Sequence, residues 1–184
     1  MKDETIHESV NRRRDNIIRN ARVGEPAPES AEAIERMEAH LRQQGKRCTV
    51  ERRFVLEMLY AYDQPVDVGT LHRQVCEQQG NVSLTTVYTT LQLLEELHLA
   101  RRIDLVSHGM TFFERALGLE PRGYVVCNEC GALKPIRRPG LLESCSPMLP
   151  KGFQPDGYTF LIHGLCAKCQ KPKRTRKKQE PKTK

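Results

Sequence analysis

Residues 124–130 read YVVCNEC and residues 160–169 read FLIHGLCAKC, so two Cys-x-x-Cys pairs each follow an apolar run. No other feature constrains the fold as strongly. Cys127, Cys130, Cys166 and Cys169 supply four thiolates with the bite that a tetrahedral Zn²⁺ ion requires. Gly131, directly after Cys130, suits a tight chelating turn. Two other fates compete. A redox pair sits at a helix N-terminus, where the dipole lowers a thiol pKa, but GALKPI and QKPK after the two pairs do not start helices. A closed disulfide framework is disfavoured by the odd total of seven cysteines. The expectation is one structural zinc per chain, with four protein ligands and no open position for catalysis. Cys48, Cys76 and Cys145 are singletons. His72 and Cys76 lie four apart on a helical stretch and share a face able to chelate a metal, although a packed Cys beside an exposed His is the plainer reading.

Charge points to the partner. The 184 residues carry 30 Lys and Arg against 23 Asp and Glu, a formal net charge of +7, which suits an anionic ligand such as nucleic acid. Much of that charge sits in the last stretch, KPKRTRKKQEPKTK. The chain has no apolar run long enough to span a bilayer, and MKDETIHESVNRRR has no apolar core of a signal peptide. A cytoplasmic location, with reduced thiols and no membrane partner, is expected. No nucleophile, phosphate-loop or HExxH signature is present, so the chain does not read as an enzyme.

Residues 1–29 are polar and end in VGEPAPES, which reads as a partly flexible extension. Four helices follow, with Ser30, Thr49 and Ser83 as caps of the first, second and fourth. Phe54, Val55, Met58 and Leu59 share one face of the second, Gly80 ends the third, and the fourth is the longest. ARRIDLV and MTFFER are two strands joined by a turn. This order predicts a winged helix-turn-helix over residues 30–116. Residues 117–170 then read as a small α/β unit of three strands, with a short helix over 138–149, and 171–184 as a basic disordered tail. The fold class is α+β.

Composition of the fourth helix supports DNA binding. Its first turns carry Ser83, Thr85, Thr86, Tyr88, Thr89 and Thr90, hydroxyls and one aromatic able to bond phosphates and touch thymine methyls. Arg47 and Arg52 add basic residues around the start of the second helix. A helix of this composition equally suits capping and packing. Three readings stand: a sequence-specific regulator on double-stranded DNA, a thiol or redox protein using a Cys-x-x-Cys pair, and a non-specific nucleic-acid-binding protein driven by the tail.

The segments CTVERRFVLEML, SLTTVYTTLQLLEELHLARRID, FFE, CNECG and HGLCAKC together resemble the ferric uptake regulator family of bacterial metal-responsive transcription factors. The resemblance runs from about Ser30 to Cys169. It implies a winged helix that binds DNA, a C-terminal domain that forms the homodimer, and structural zinc on the four cysteines. It also implies that Tyr88 contacts bases, that Arg47 approaches the backbone or minor groove, and that the chain represses transcription. Thr89 stands where members often carry Arg, which alters the expected operator. A larger departure concerns sensing. Members usually place a His-rich metal-binding segment before the first Cys pair, where this chain has Pro121, Arg122, Gly123 and Tyr124. DQPVD replaces the hinge-region His. Of the usual sensor ligands only Glu114 remains, and His163 resembles the zinc-uptake branch without making a sensor site. The expectation is a regulatory metal site altered or lost, with Fe²⁺ at a rebuilt site, haem, a singleton Cys, or no effector as the alternatives.

Overall fold

The computed structural model describes residues 23–105, 109–119, 123–136, 144, 146–154 and 160–170. Expectations for the N-terminal residues 1–22, for Pro121, Arg122 and Cys145, and for the tail 171–184 fall outside these residues.

Among the described residues four helices come first. In α1 (Ser30–Gln43), Ala33, Ile34, Met37 and Leu41 recur at helical spacing and are all buried. Ser30 is not its cap: Glu29 takes that position, and its carboxylate accepts from Arg115 Nη1 at 3.2 Å instead of capping the helix. Thr49 does cap α2 (Val50–Tyr60), accepting from the Arg52 amide at 3.4 Å. Val55, Leu56, Met58 and Leu59 are buried, while Phe54 is only half-buried. Asp67 caps α3 (Val68–Gln79) through the Thr70 amide at 3.1 Å and hydroxyl at 2.6 Å. Gly80, at φ 81°, ends it in a conformation that a Cβ would oppose. Ser83 caps α4 (Leu84–Glu96) through the Thr86 amide at 3.1 Å. At 13 residues α4 is shorter than the 14-residue α1, so it is not the longest helix.

A short strand absent from the sequence reading, β1 (Val66–Asp67), pairs antiparallel with the hairpin of β2 (Ala100–Leu105) and β3 (Met110–Arg115) in the order β1-β3-β2. Two residues flanked by Pro65 give no alternation to detect; the register Val66↔Phe113 exists only once the hairpin does. Helix α2 packs against α1, α3, α4 and β3 around Leu56, Leu59, Leu71, Leu91 and Leu94. The Tyr60 hydroxyl donates to the Leu99 carbonyl at 2.8 Å within this core. Helices and hairpin together make the winged helix-turn-helix.

The second sheet has the order β5-β4-β6, from β4 (Tyr124–Cys127), β5 (Leu133–Pro135) and β6 (Leu161–Gly164). β5 returns antiparallel, whereas β6 runs parallel to β4 with Cys127 opposite Gly164. Parallel pairing needs a crossover, and of the helix expected over 138–149 the described part is a 3₁₀ turn, Ser146–Met148, preceded by a helical Ser144. Ile103, Leu105, Met110 and Phe112 of the hairpin share a second apolar cluster with Tyr124, Val126 and Leu133. The two sheets are therefore packed on each other. Among the described residues no helix is long and apolar enough to cross a membrane.

Candidate metal centre and nucleic-acid face

Parallel pairing of β4 with β6 is what brings the cysteine pairs together. Cys127 ends β4 and Cys166 follows β6 by two residues, so both chelating turns leave the sheet at the same end. The first turn closes through the Gly131 amide to the Cys127 carbonyl at 2.8 Å, with Gly131 at φ 70°. The second closes through the Cys169 amide to the Cys166 carbonyl at 2.9 Å. The Asn128 amide donates to the Gly164 carbonyl at 2.7 Å and ties one turn to the other strand.

All four sulfurs lie within 4.8 Å of one another, and Cys130 Sγ is 3.8 Å from Cys166 Sγ. The edge of a ZnS₄ tetrahedron is about 3.8 Å, so the donor set fits such an ion with little movement. The sulfurs are free thiols rather than disulfides. Burial pushes the Cys127 thiol up, but the Cys166, Cys130 and Glu129 amides outweigh it and hold the group down at about 6. The Cys166 amide lies 3.3 Å from Cys127 Sγ. The Cys169 amide lowers Cys166 in the same way. Desolvation raises Cys130, and Cys169 is pushed up to about 12, chiefly by its bond with the Cys166 sulfur. Amide hydrogen bonds thus shift two of the sulfurs toward the anion, while burial and sulfur–sulfur hydrogen bonding shift the other two away from it, and a cation among them would favour the thiolate at all four. Among the described residues, which end at Gln170, neither pair opens a helix of the kind whose dipole a redox pair exploits.

The other candidate residues lie on α2 and α4. Val87, Thr90, Leu91 and Leu94 face the core, which leaves Ser83, Thr85, Tyr88 and Thr89 exposed along the opposite side; the Tyr88 ring is 45% exposed. Thr90 does not belong to this face: it is fully buried and its hydroxyl donates to the Thr86 carbonyl at 2.7 Å. Thr86 is half-buried and spends its hydroxyl on Ser83 at 2.8 Å, and the Thr89 hydroxyl bonds back to the Thr86 carbonyl at 3.2 Å. Arg47 is exposed in the loop before α2, and Arg52 is half-exposed in its first turn.

Glu114 stands apart from every other candidate ligand. It is 3% exposed, and Arg101 Nε donates to its Oε1 at 3.0 Å while the Tyr124 hydroxyl donates to its Oε2. Arg101 also reaches the Leu119 carbonyl at 2.8 Å. Both carboxylate oxygens therefore have partners within the chain, and one partner is Tyr124, from the stretch where a His-rich segment was expected. Among the described residues the four cysteines are the only group of three or more His, Cys, Asp or Glu side chains placed to share an ion. Sequence reasoning missed Arg101 and Tyr124. Their signal is weak, since an Arg and a Tyr twenty-three positions apart mark nothing until the hairpin and β4 meet.

The sequence model of the ferric uptake regulator family matches residues 43–160. The ferric uptake regulation protein of Campylobacter jejuni is 30% identical over 145 residues, covering 76% of this chain and 90% of that protein. The ferric uptake regulator of Helicobacter pylori, whose structure is described as having three functional metal-binding sites, superposes with a TM-score of 0.68 at 18% identity, over 80% of this chain and 97% of that one. The ferric uptake regulator of Pseudomonas aeruginosa, solved with manganese, gives 0.58 at 21% identity, over 70% and 96%. A cysteine quartet at the shared end of two parallel strands, a hydroxyl-rich helix beside a β-wing and these likenesses converge: the chain belongs to the ferric uptake regulator family.

Proposed function

We propose that this chain is a dimeric, sequence-specific DNA-binding regulator of transcription, acting as a repressor, with one structural Zn²⁺ per chain and a regulatory metal site altered from the family pattern. The observation that carries this reading is α4. Its core face is complete, yet its outer face holds Ser83, Thr85, Tyr88 and Thr89 where a merely structural helix would show Glu, Lys and Arg. Hydroxyls of this length bond phosphates, and an exposed aromatic can lie against a thymine methyl. Arg47 and Arg52 supply the cationic flank, Arg47 toward the DNA backbone or minor groove.

Cys127, Cys130, Cys166 and Cys169 hold the zinc, which supplies a four-fold cross-link between the ends of β4 and β6 and no catalysis. Residues 30–116 form the DNA-binding unit and 117–170 the dimerisation unit. Support for the dimer comes from the edge strand β6 and the residue that follows it, where Ile162 and Leu165 are 48% and 51% exposed beside Val125 at 39%. They line a cleft of about 390 Å³, and a second copy would cover it. Glu114 is the remaining residue of the sensor pattern, and its two internal partners are why that site is read as altered.

Elemental analysis of the purified chain, beside binding to sites selected from random DNA with and without added Fe²⁺, Zn²⁺ and haem, tests the whole reading. One zinc per chain and selected sites bound at least about a thousandfold more tightly than random DNA at fixed salt are expected. A ratio near one would make this a non-specific nucleic-acid-binding protein instead. Absence of tightly held zinc, with reactive thiols in both pairs, would favour the redox reading.

A further inference from the structure

Outside the cysteine quartet, one more cluster of metal-ligating atoms is built across two elements. His72 and Cys76 are one turn apart on α3, and both are half-buried. Cys76 Sγ lies 3.4 Å from His72 Nε2. The third member comes from the turn leading into α4: the Val82 carbonyl oxygen is 2.8 Å from His72 Nε2 and 3.4 Å from Cys76 Sγ. Gly80 sets up that turn, because its φ of 81° swings the chain back over the end of α3 so that the Val82 carbonyl meets the two side chains. Sulfur, nitrogen and oxygen thus form a triangle with no edge longer than 3.4 Å.

We propose that His72, Cys76 and the Val82 carbonyl form a second metal-binding site, which takes a borderline divalent cation such as Zn²⁺ at the turn entering α4. Donor atoms around tetrahedral zinc stand about 3.3–3.6 Å apart, given bond lengths near 2.0–2.2 Å to nitrogen and oxygen and 2.3 Å to sulfur. Two edges of the triangle already match, and only the nitrogen–oxygen edge has to open. Donor chemistry chooses the ion. One thiolate with one imidazole selects against Mg²⁺ and Ca²⁺, and a carbonyl oxygen is a poor partner for Cu⁺. Water completes the coordination, so the site binds more weakly than a four-thiolate cage. On binding, the Cys76 thiol releases one proton to solvent; the His72 ring, whose Nε2–H donates to the Val82 carbonyl in the free protein, gives up that hydrogen bond and shifts to the tautomer with its proton on Nδ1, so that Nε2 can ligate with no further proton released. Val82 precedes Ser83, the cap of α4, so the ion would fix the backbone from which the Tyr88-bearing helix starts. This site does not depend on the DNA-binding reading.

The test is a titration of the full-length, zinc-loaded chain with Co²⁺, followed by ultraviolet and visible absorption. One further equivalent should bind, with a sulfur-to-cobalt charge-transfer band, one proton released and no zinc displaced. Cys76→Ser should abolish the band and His72→Gln should weaken binding more than about tenfold, while Cys48→Ser changes neither. Slowed amide exchange at residues 80–83 in the wild type would locate the ion at the turn. Failure of the wild-type chain to take up a second equivalent overturns the proposal, whatever the variants do. So does a charge-transfer band that survives Cys76→Ser, because the sulfur would then be another.

Discussion

Tyr88 and Arg47 are both exposed, but their chemistry asks different things of DNA. An aromatic against a thymine methyl discriminates among sequences, and its loss costs roughly 1–3 kcal/mol at the specific site alone. Tyr88→Ala should therefore lower affinity for a selected site by ten- to a hundredfold and leave random DNA nearly unaffected; equal loss on both would move recognition elsewhere on α4. A guanidinium on the backbone is indifferent to sequence. Arg47→Ala should weaken all DNA alike and reduce the slope of log affinity against log salt by about one. Two buried tyrosines give a prediction of another kind. Burial pushes the phenols of Tyr60 and Tyr62 up to about 12, above their ordinary 10. The folded state then holds protons that the unfolded chain gives up, so stability is full below pH 10 and falls as pH rises from 10 toward 12. Ultraviolet titration of phenolate beside thermal melting checks this: two tyrosines should ionise late, and the melting temperature should fall in that window. Exposure of single side chains was only partly readable beforehand. Thr90 shares its hydroxyl with its neighbours in sequence, yet a helix turns it 100° per residue, and that rotation delivers it to the core.

At the scale of elements, the cysteine quartet makes β4 and β6 depend on each other. Metal binding in small domains of this type is worth on the order of 10–16 kcal/mol, as much as a whole domain's stability. Cys166→Ser should release the metal and unfold the three-stranded sheet, read as a lost cooperative melting transition and a monomeric sedimentation profile. An unchanged melting temperature would show that the sheet holds without the ion. The helices were readable because their caps and apolar periods are local: Thr49, Ser83 and Gly80 act within four residues of themselves. Ser30 misled because its neighbour Glu29 can hold the cap position with its backbone while its side chain serves Arg115, eighty-six positions away. Strand β1 stayed hidden for a related reason, since a two-residue strand is defined by its partner. Spacing disclosed the four sulfurs but not which one the backbone amides favour as an anion; that preference comes from the closing geometry of the turns, centred on Cys127.

In the whole molecule, the wing hairpin and the cysteine-bearing sheet meet at Glu114. Its carboxylate already accepts from Arg101 and Tyr124, so an incoming dication has to displace both. Anaerobic titration of the zinc-loaded chain with Fe²⁺ should show no site that depends on Glu114. Glu114→Gln should instead destabilise the fold by about 2 kcal/mol through the weakened charge-assisted bonds. Micromolar Fe²⁺ binding abolished by Glu114→Gln would prove the opposite. The same contact bears on how a dimer would measure its DNA. In the dimer proposed above, formed through the cysteine-bearing sheet, a wing bolted to that sheet would behave as one arm of a fixed caliper, and α4 rides on that arm through its packing against β2. The gap between the two α4 helices is then a dimension of the scaffold, not a variable set by an effector. Half-sites displaced by even one base pair would be rejected, and adding metal would not restore them.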